Sequence, residues 1–404
     1  MNNLRNLRVG RAPFGQWLRC YTKGCDESKK CTKLRSKSMC GDQQKKDQPK
    51  KNQPKGNPKK TDQPKGVQQK KANKKETNNE VKKITLIEGQ GVGCELIQSL
   101  KTVFDAAKVP IEWESFPDEP SSHKVSKELL DSLRRNKVGI KGPIEDPLWM
   151  KDLRKQFDLF AYTAVCRNME GQDNPYGKLN CVIIRDMMEG EYSGIEHDVV
   201  PGVLQSIKIS TAAGAERIAK YVFDYANEFD RKKITVAHKA NIMRMTDGNF
   251  LKHMRKEAIK HMPDRLFEER YMDTACLNLI MKPETNDVLV SSSMYGDVLV
   301  MMASSITGSK AMCPGYGVSP HGRLYDTLNK VGEEVAGKDQ INPTGMLFSG
   351  VLMLRRIGLI DQAMSISCAI KSVYKDTDMR TKDIGGKAKC SEFTKAVCDF
   401  IAKQ

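Results

Sequence analysis

The feature that most limits what this chain can fold into is a break in composition at about residue 82. Residues 1–83 carry 24 Lys and Arg against 7 Asp and Glu, whereas the whole chain carries 67 against 50, so 43 of each sign remain beyond the break. The entire formal charge of +17 therefore sits in the leading segment. A neutral remainder gives no electrostatic reason to expect a DNA-binding body. Within the leader, residues 41–81 are mostly Lys, Gln, Pro and Asn, with an imperfect repeat in KDQPK, KNQPK, GNPKK and TDQPK around Pro49, Pro54, Pro58 and Pro64. Such a stretch has too little apolar surface to offset the entropy of ordering it, and it is expected to be a disordered linker. It also lacks the aromatic side chains on which bases stack, so a nucleic-acid partner is not expected. Only residues 82–404 are patterned like a packed body.

Residues 1–40 differ in character. No acidic residue precedes Asp26, and Arg5, Arg8, Arg11 and Arg19 are interleaved with Leu4, Leu7, Val9, Phe14, Trp17 and Leu18. A cationic segment able to form an amphipathic helix is the pattern of a mitochondrial transit peptide, which predicts a matrix location. No window approaches the ~18 apolar residues of a membrane span. The 12 cysteines include no CxxC pair and sit in apolar or amphipathic stretches, as Cys276 and Cys368 do, so reduced thiols are expected.

From Ile84 the pattern becomes strand, glycine turn, helix. Ile84, Leu86 and Ile87 lead into EGQGVG (Glu88 to Gly93), and Leu96, Ile97, Leu100, Val103 and Phe104 follow at helical spacing in a helix predicted to run to Val109. The glycines are spaced GxGxG rather than GxGxxG, a weak nucleotide signal. Further strands are predicted at 111–116, 138–141, 159–166, 181–185, 234–238 and 288–291, with helices at 213–225 and 249–261 and a mostly helical segment from 343 to 403. This alternation argues for an α/β fold.

Seven stretches then carry a family resemblance: ITLIEGQGVGCE (84–95), IIRDMMEGEYSGIEH (183–197), VAHKANIMRMTDG (236–248), YMDTACLNLI (271–280), YGD (295–297), AGKDQINPT (336–344) and TKDIGGKAKCSEFT (381–394). They resemble the NAD-dependent isocitrate dehydrogenases, and within them the catalytic-type subunit of the mitochondrial hetero-oligomer. The likeness runs over essentially all of residues 82–404. It implies an isocitrate/isopropylmalate dehydrogenase-type fold with a discontinuous large domain and a smaller dimer-forming domain. The cleft of such a fold is completed by a partner subunit in a homo- or hetero-oligomer. It also implies the reaction: isocitrate is oxidised by hydride transfer to NAD, CO2 is lost and the enolate is protonated, with Mg2+ or Mn2+ holding the substrate oxygens.

Carried over position by position, the resemblance assigns Tyr192 to protonation of the enolate. Lys239, supplied to the neighbouring subunit, helps deprotonate the hydroxyl. Asp297, and Asp273 across the dimer, match metal ligands. Arg154 and Arg185 match two of three arginines that grip the carboxylates through paired hydrogen bonds. Gly89, Gly91 and Gly93 match the nucleotide turn, and Asn342 an adenine contact. Glu334 takes the acidic position that accepts the ribose hydroxyls and repels a 2′-phosphate, favouring NAD over NADP.

Several partners expected from the resemblance are replaced. Met301 stands one helical turn after Asp297, where a further Asp belongs, and a thioether is a poor ligand for a hard cation. Ala164 falls where the third arginine belongs, with Arg167 as its nearest substitute if the chain shifts there. The segment EDPLWMKDLR is short and offers Leu148 and Met150 in place of Ser and Asn, while Asn329 and Lys330 replace the His and first Gly of the nucleotide loop at 329–337. Two expectations follow: a dehydrogenase subunit whose own site is impaired, or a non-catalytic regulatory or structural subunit whose Lys239 and Asp273 complete a partner's site.

Overall fold

The computed structural model describes residues 81–117, 123–172, 174–261 and 264–404. The expected transit segment and linker lie outside the described residues, Val81 excepted.

β1 (Lys82–Ile87), buried along its last four residues, runs through the glycine turn into α1 (Gly93–Ala106), which buries the stripe Leu96, Leu100, Val103 and Phe104. β2 (Ile111–Phe116), α2 (Lys127–Asn136), β3 (Val138–Lys141) and α3 (Pro147–Gln156) follow. The start of α3 is fixed chemically. The Asp146 carboxylate accepts the N–H groups of Leu148 and Trp149, and Pro147 occupies the first turn, where its missing N–H costs nothing. That cap matters because α3 carries Arg154 in its last turn.

The chain then lays down β4 (Ala161–Arg167) and β5 (Asn180–Asp186), the hairpin β6 (Gly190–Val200) and β7 (Val203–Ile209), α4 (Ala212–Glu228), β8 (Lys233–His238), α5 (Thr246–His261), β9 (Leu266–Tyr271), α6 (Met272–Met281), β10 (Val288–Ser291) and α7 (Ser293–Ile306). It returns through β11 (Pro314–Ser319) and β12 (Gly322–Thr327) and ends in α8 (Thr344–Ile357), α9 (Ile360–Asp376) and α10 (Cys390–Ala402).

Ten strands form one sheet in the order β2-β1-β3-β12-β11-β4-β5-β10-β8-β9. Its two flanks are parallel, and they are joined through the antiparallel pairings β12–β11, β11–β4 and β4–β5. The first flank is discontinuous in sequence: β1 to β3 begin it, β12 completes it some 180 residues later, and α8 and α10 pack on α1. The sheet thus confirms the expected α/β class with a split larger part.

Several boundaries differ from expectation, and one hairpin was not expected at all. α1 ends at Ala106 because Lys108 turns through positive φ, and β4 starts at Ala161 because Asp158 does the same. The hairpin β6–β7 escapes the strand pattern because it is two-stranded and exposed, with Val199, Val200, Val203 and Leu204 all open to solvent, so no face alternates. The cysteines among the described residues are free thiols, with Cys166, Cys181, Cys313 and Cys390 buried. No described helix is long and apolar enough to cross a membrane.

Candidate active site

The antiparallel centre of the sheet presents the first cluster. Arg185 pairs in register with Tyr162 and lays its guanidinium over that ring, 5.4 Å from the centroid. α7 can lie against it because residue 296 is glycine: a Cβ there would sit 2.3 Å from the Arg185 Cβ. The next residue, Asp297, brings Oδ1 to 3.6 Å from Arg185 Nη2 and accepts a 2.9 Å hydrogen bond from Tyr192 Oη through Oδ2. Arg154 reaches the same group from α3, which is tied to β6 by a 3.1 Å hydrogen bond from Lys151 Nζ to the Ser193 carbonyl. Burial, then the like charge of Arg185, lower the pKa of Arg154.

The Nε–H groups of Arg154 and Arg185 are buried and have no acceptor among the described residues. Buried donors of this kind call for acceptors, and two guanidinium forks beside one carboxylate suit a ligand with several carboxylates. Burial raises the pKa of Tyr192, and the bond to Asp297 raises it further, so the phenol is a protonated donor at neutral pH.

The second cluster lies at the end of β8. Lys239 donates its backbone N–H to Asp247 Oδ2 at 2.7 Å and its Nζ to Asp273 Oδ2 at 2.9 Å. Asp273, in the first turn of α6, is 66% exposed at its side chain, and the Lys239 hydrogen bond lowers its pKa. A lysine with a mostly covered side chain, which no sequence pattern marks, bridges the two clusters. Lys208 Nζ lies 2.7 Å from Asp247 Oδ1, 3.0 Å from Glu191 Oε1 and 4.6 Å from the centre of the Tyr295 ring. Glu191 precedes Tyr192 and Tyr295 is two residues before Asp297. No hydrogen bond or ion pair among the described residues joins Lys239 or Asp273 directly to Tyr192, Asp297, Arg154 or Arg185.

This separation bears on the metal. Among the described residues no three His, Cys, Asp or Glu side chains form a group that would hold an ion. Asp297 is already engaged by Tyr192 and Arg185, so the residues of one chain do not fit a divalent cation by themselves.

The glycine turn is closed by the protein's own backbone. Gly89 and Gly91 take φ of +79° and +53°, and Cβ atoms there would lie 2.6 Å from the Pro143 oxygen and 2.3 Å from the Val331 oxygen. A Cβ on Gly93 would lie 2.6 Å from the Glu88 oxygen. Val92 N–H donates to the Val331 carbonyl at 2.9 Å, so loop 329–337 is docked on the turn, with the Glu334 side chain exposed on it. Asn342 is 1% exposed, and its amide is held by Asp383 and the Thr344 N–H.

Residues 83–397 match the model of the isocitrate/isopropylmalate dehydrogenase family. The chain belongs to that family. It is 42% identical over 328 residues to the probable mitochondrial isocitrate dehydrogenase [NAD] subunit alpha of Drosophila melanogaster, covering 78% of this chain and 87% of that one. The Homo sapiens subunit alpha is 41% identical over 330 residues, covering 79% and 90%. Among solved structures, isocitrate dehydrogenase from Methylococcus capsulatus superposes with a TM-score of 0.75 at 31% identity, covering 80% of this chain and 99% of that one.

For a member of this family, the β4–β5 register corrects one expectation. Tyr162 faces Arg185 but Arg167 faces Asn180, five residues along the strand, or roughly 17 Å at ~3.3 Å per residue. Arg167 therefore does not stand in for the arginine expected at Ala164, whatever loop shift is allowed. Ala164 is fully buried between Ile183 and Gly315. Of the other replacements, Leu148 is exposed at the start of α3, Met150 packs into the core beside Trp149, and Met301 is 37% exposed on α7.

Proposed function

We propose that this family member is a subunit of an NAD-dependent isocitrate dehydrogenase of the mitochondrial matrix, converting isocitrate and NAD to 2-oxoglutarate, CO2 and NADH in an oligomer with like subunits. In this reading its main contribution goes to a site shared with a second subunit. The observation that carries the reading is the division of its catalytic groups. Tyr192, Asp297, Arg185 and Arg154 form one cluster, while the Lys239–Asp273 pair, with Asp273 open to solvent, makes no direct hydrogen bond or ion pair to it among the described residues. A pair so placed is suited to complete a cleft in another subunit.

Each group has a chemical task. Arg154 and Arg185 bind substrate carboxylates through their unfilled donors. Tyr192, kept protonated, gives its proton to the enolate carbon after CO2 leaves, and Asp297 aims the phenol. Lys239, anchored through its backbone by Asp247, is offered to the partner's substrate hydroxyl. Glu334 would favour NAD, which would supply the hydride acceptor, over a 2′-phosphorylated nucleotide. One chain does not hold the cation, and Met301 in place of a carboxylate makes a shared cation site weaker.

A second reading, a non-catalytic regulatory or structural subunit, is favoured by Met301 and Leu148, which stand where the family resemblance expects a carboxylate and a polar contact, and by Ala164, whose closed surroundings leave no third arginine. The test is isocitrate- and metal-dependent NADH formation by the purified chain, alone and mixed with a catalytic-type subunit. Substantial turnover by the isolated chain rules out the second reading. In the mixed complex, Lys239→Met is expected to lower turnover about a hundredfold or more, the usual scale for losing an acid–base group. No change would refute the shared-site role.

A further inference from the structure

Lys208 stands at the junction of the two clusters. Near the end of β7, it is 11% exposed at its side chain and sits between two carboxylates, Asp247 Oδ1 at 2.7 Å and Glu191 Oε1 at 3.0 Å. Asp247, in the first turn of α5, is 3% exposed and gives its other oxygen, Oδ2, to the Lys239 backbone N–H at 2.7 Å. The contacts therefore run from β6, the strand that carries Tyr192, through Lys208 and Asp247 to the backbone of Lys239.

What Lys208 supplies is charge. Neither its ammonium nor Asp247 Oδ1 has an aligned hydrogen-bond partner among the described residues, so the attraction between them is ionic. A buried carboxylate left without a cation is costly, and it recruits another cation where one is in reach or takes up a proton. His238, the imidazole beside Asp247, keeps Nδ1 as the acceptor of the Ala240 N–H at 3.1 Å, and burial disfavours its charged form. The other amine of this neighbourhood belongs to Lys239. It acts, together with Lys208, Asp247 and Glu191, on the hydroxyl of Tyr295, whose ring centre lies 4.6 Å from Lys208 Nζ. The Lys239 ammonium thus has two carboxylates within its neighbourhood: Asp273, at 2.9 Å and 66% exposed, and Asp247 in the interior. With Lys208 neutralising Asp247, Lys239 pairs with Asp273.

We propose that Lys208 is a positioning residue that keeps the Lys239 amine turned out toward a second subunit by holding the charge of Asp247. Resting on the reading of Lys239 as a group lent to a shared site, this role explains what sets its reach. Lys208 touches no reacting atom and acts through Asp247. Its hold on Glu191, the residue before Tyr192, ties the same anchor to the strand of the proton donor. A single ammonium thereby holds both the donor of one cleft and the base offered to the other.

The test has two readouts: turnover and isocitrate KM of the full chain mixed with a catalytic-type subunit, and acetic-anhydride labelling of Lys239 in the chain by itself, followed by peptide mass spectrometry. Lys208→Met is expected to lower kcat on the order of tenfold, as a displaced catalytic group does, with KM changed by less than about twofold. It is also expected to slow the labelling of Lys239 severalfold, because the amine turns inward to Asp247. In Lys208→Met/Asp247→Asn the interior charge is gone while the amide oxygen still accepts the Lys239 N–H, so kcat and labelling are expected to return to within about threefold of the unaltered chain. Recovery on altering a second buried group is not something a damaged fold produces. Unchanged labelling in Lys208→Met, unchanged kcat where Lys239→Met does lower it, or a double variant no better than the single one overturns the proposal. Labelling that follows the expected pattern while neither Lys208→Met nor Lys239→Met alters turnover refutes the shared-site reading and leaves the positioning role standing.

Discussion

Replacing Asp297 by asparagine separates the charge of the cleft from its shape. The amide keeps an acceptor for the Tyr192 hydroxyl, now 2.9 Å from the carboxylate, but removes the negative charge 3.6 Å from Arg185. A ligand carboxylate on the far side of Arg185, at a comparable spacing, lies about 7 Å from Asp297. At an effective dielectric constant of ~20 two unit charges at that separation repel by about 2 kcal/mol, and salt at physiological strength removes about half of this. Asp297→Asn is therefore expected to bind isocitrate about fivefold tighter than the unaltered chain when metal is withheld, since about 1 kcal/mol is close to that factor. Titration calorimetry with EDTA present measures it directly. Unchanged or weaker binding in the variant means that Arg154 and Arg185 do not form an anion site whose strength Asp297 moderates. Binding by neither protein rejects substrate capture by this cleft altogether.

Three further outcomes test the surrounding structure. Gly91→Ala forces a Cβ to 2.3 Å from the Val331 oxygen at positive φ, and is expected to cost at least about 3 kcal/mol, read as a fall in the thermal unfolding midpoint; a loss under about 1 kcal/mol means the turn is not docked on loop 329–337. Ala164→Arg, which the sequence alone recommends as restoring a substrate contact, is expected to destabilise by about 4 kcal/mol or more because it buries an unpaired guanidinium in a closed core; improved isocitrate affinity at unchanged stability contradicts this. Glu114 is held by Arg135, Asn136 and Ser132, and the Arg135 hydrogen bond chiefly brings its pKa down from 4.5 to about 2. A lowered folded-state pKa contributes stability above pH 4.5 that is lost as pH falls through about 2. Glu114→Gln is accordingly expected to cost about 1 kcal/mol at pH 7, allowing for its part exposure, with the cost vanishing at pH ~2; a pH-independent difference in denaturant unfolding rejects the ion-pair account.

How much of this was legible in the sequence depended on whether a residue's environment is set locally. β1, β3, β8 and β10 are buried on both faces and read as short apolar runs, so periodicity found them. β11 was missed because PGYGVS carries the wrong propensity for a strand. The structure supplies the reason: Cβ atoms at Gly315 and Gly317 would strike the Tyr162 hydroxyl and the Leu159 side chain, so close packing under β4 excludes the residues that signal a strand. β12 was hidden because polar Arg323 and Asp326 serve opposite faces of the same strand.

At the site, chemistry was legible and assembly was not. Tyr192, Asp297, Arg154 and Arg185 were found through the resemblance, and they come together from α3, β5, β6 and α7. Nothing in their spacing announces Lys208, since a lysine on an exposed-looking strand usually points at water. Its burial exists only because α5 supplies Asp247 and α7 supplies the Tyr295 ring. Arg167 failed for the same kind of reason. Three residues from Ala164 is a small distance in sequence, but along an extended strand it carries the side chain to the far end of the pairing, away from Arg185. In a cleft assembled from several elements, a replacement has to arrive from another element at the same end of the sheet, the way the matched Arg154 reaches the cluster from the last turn of α3.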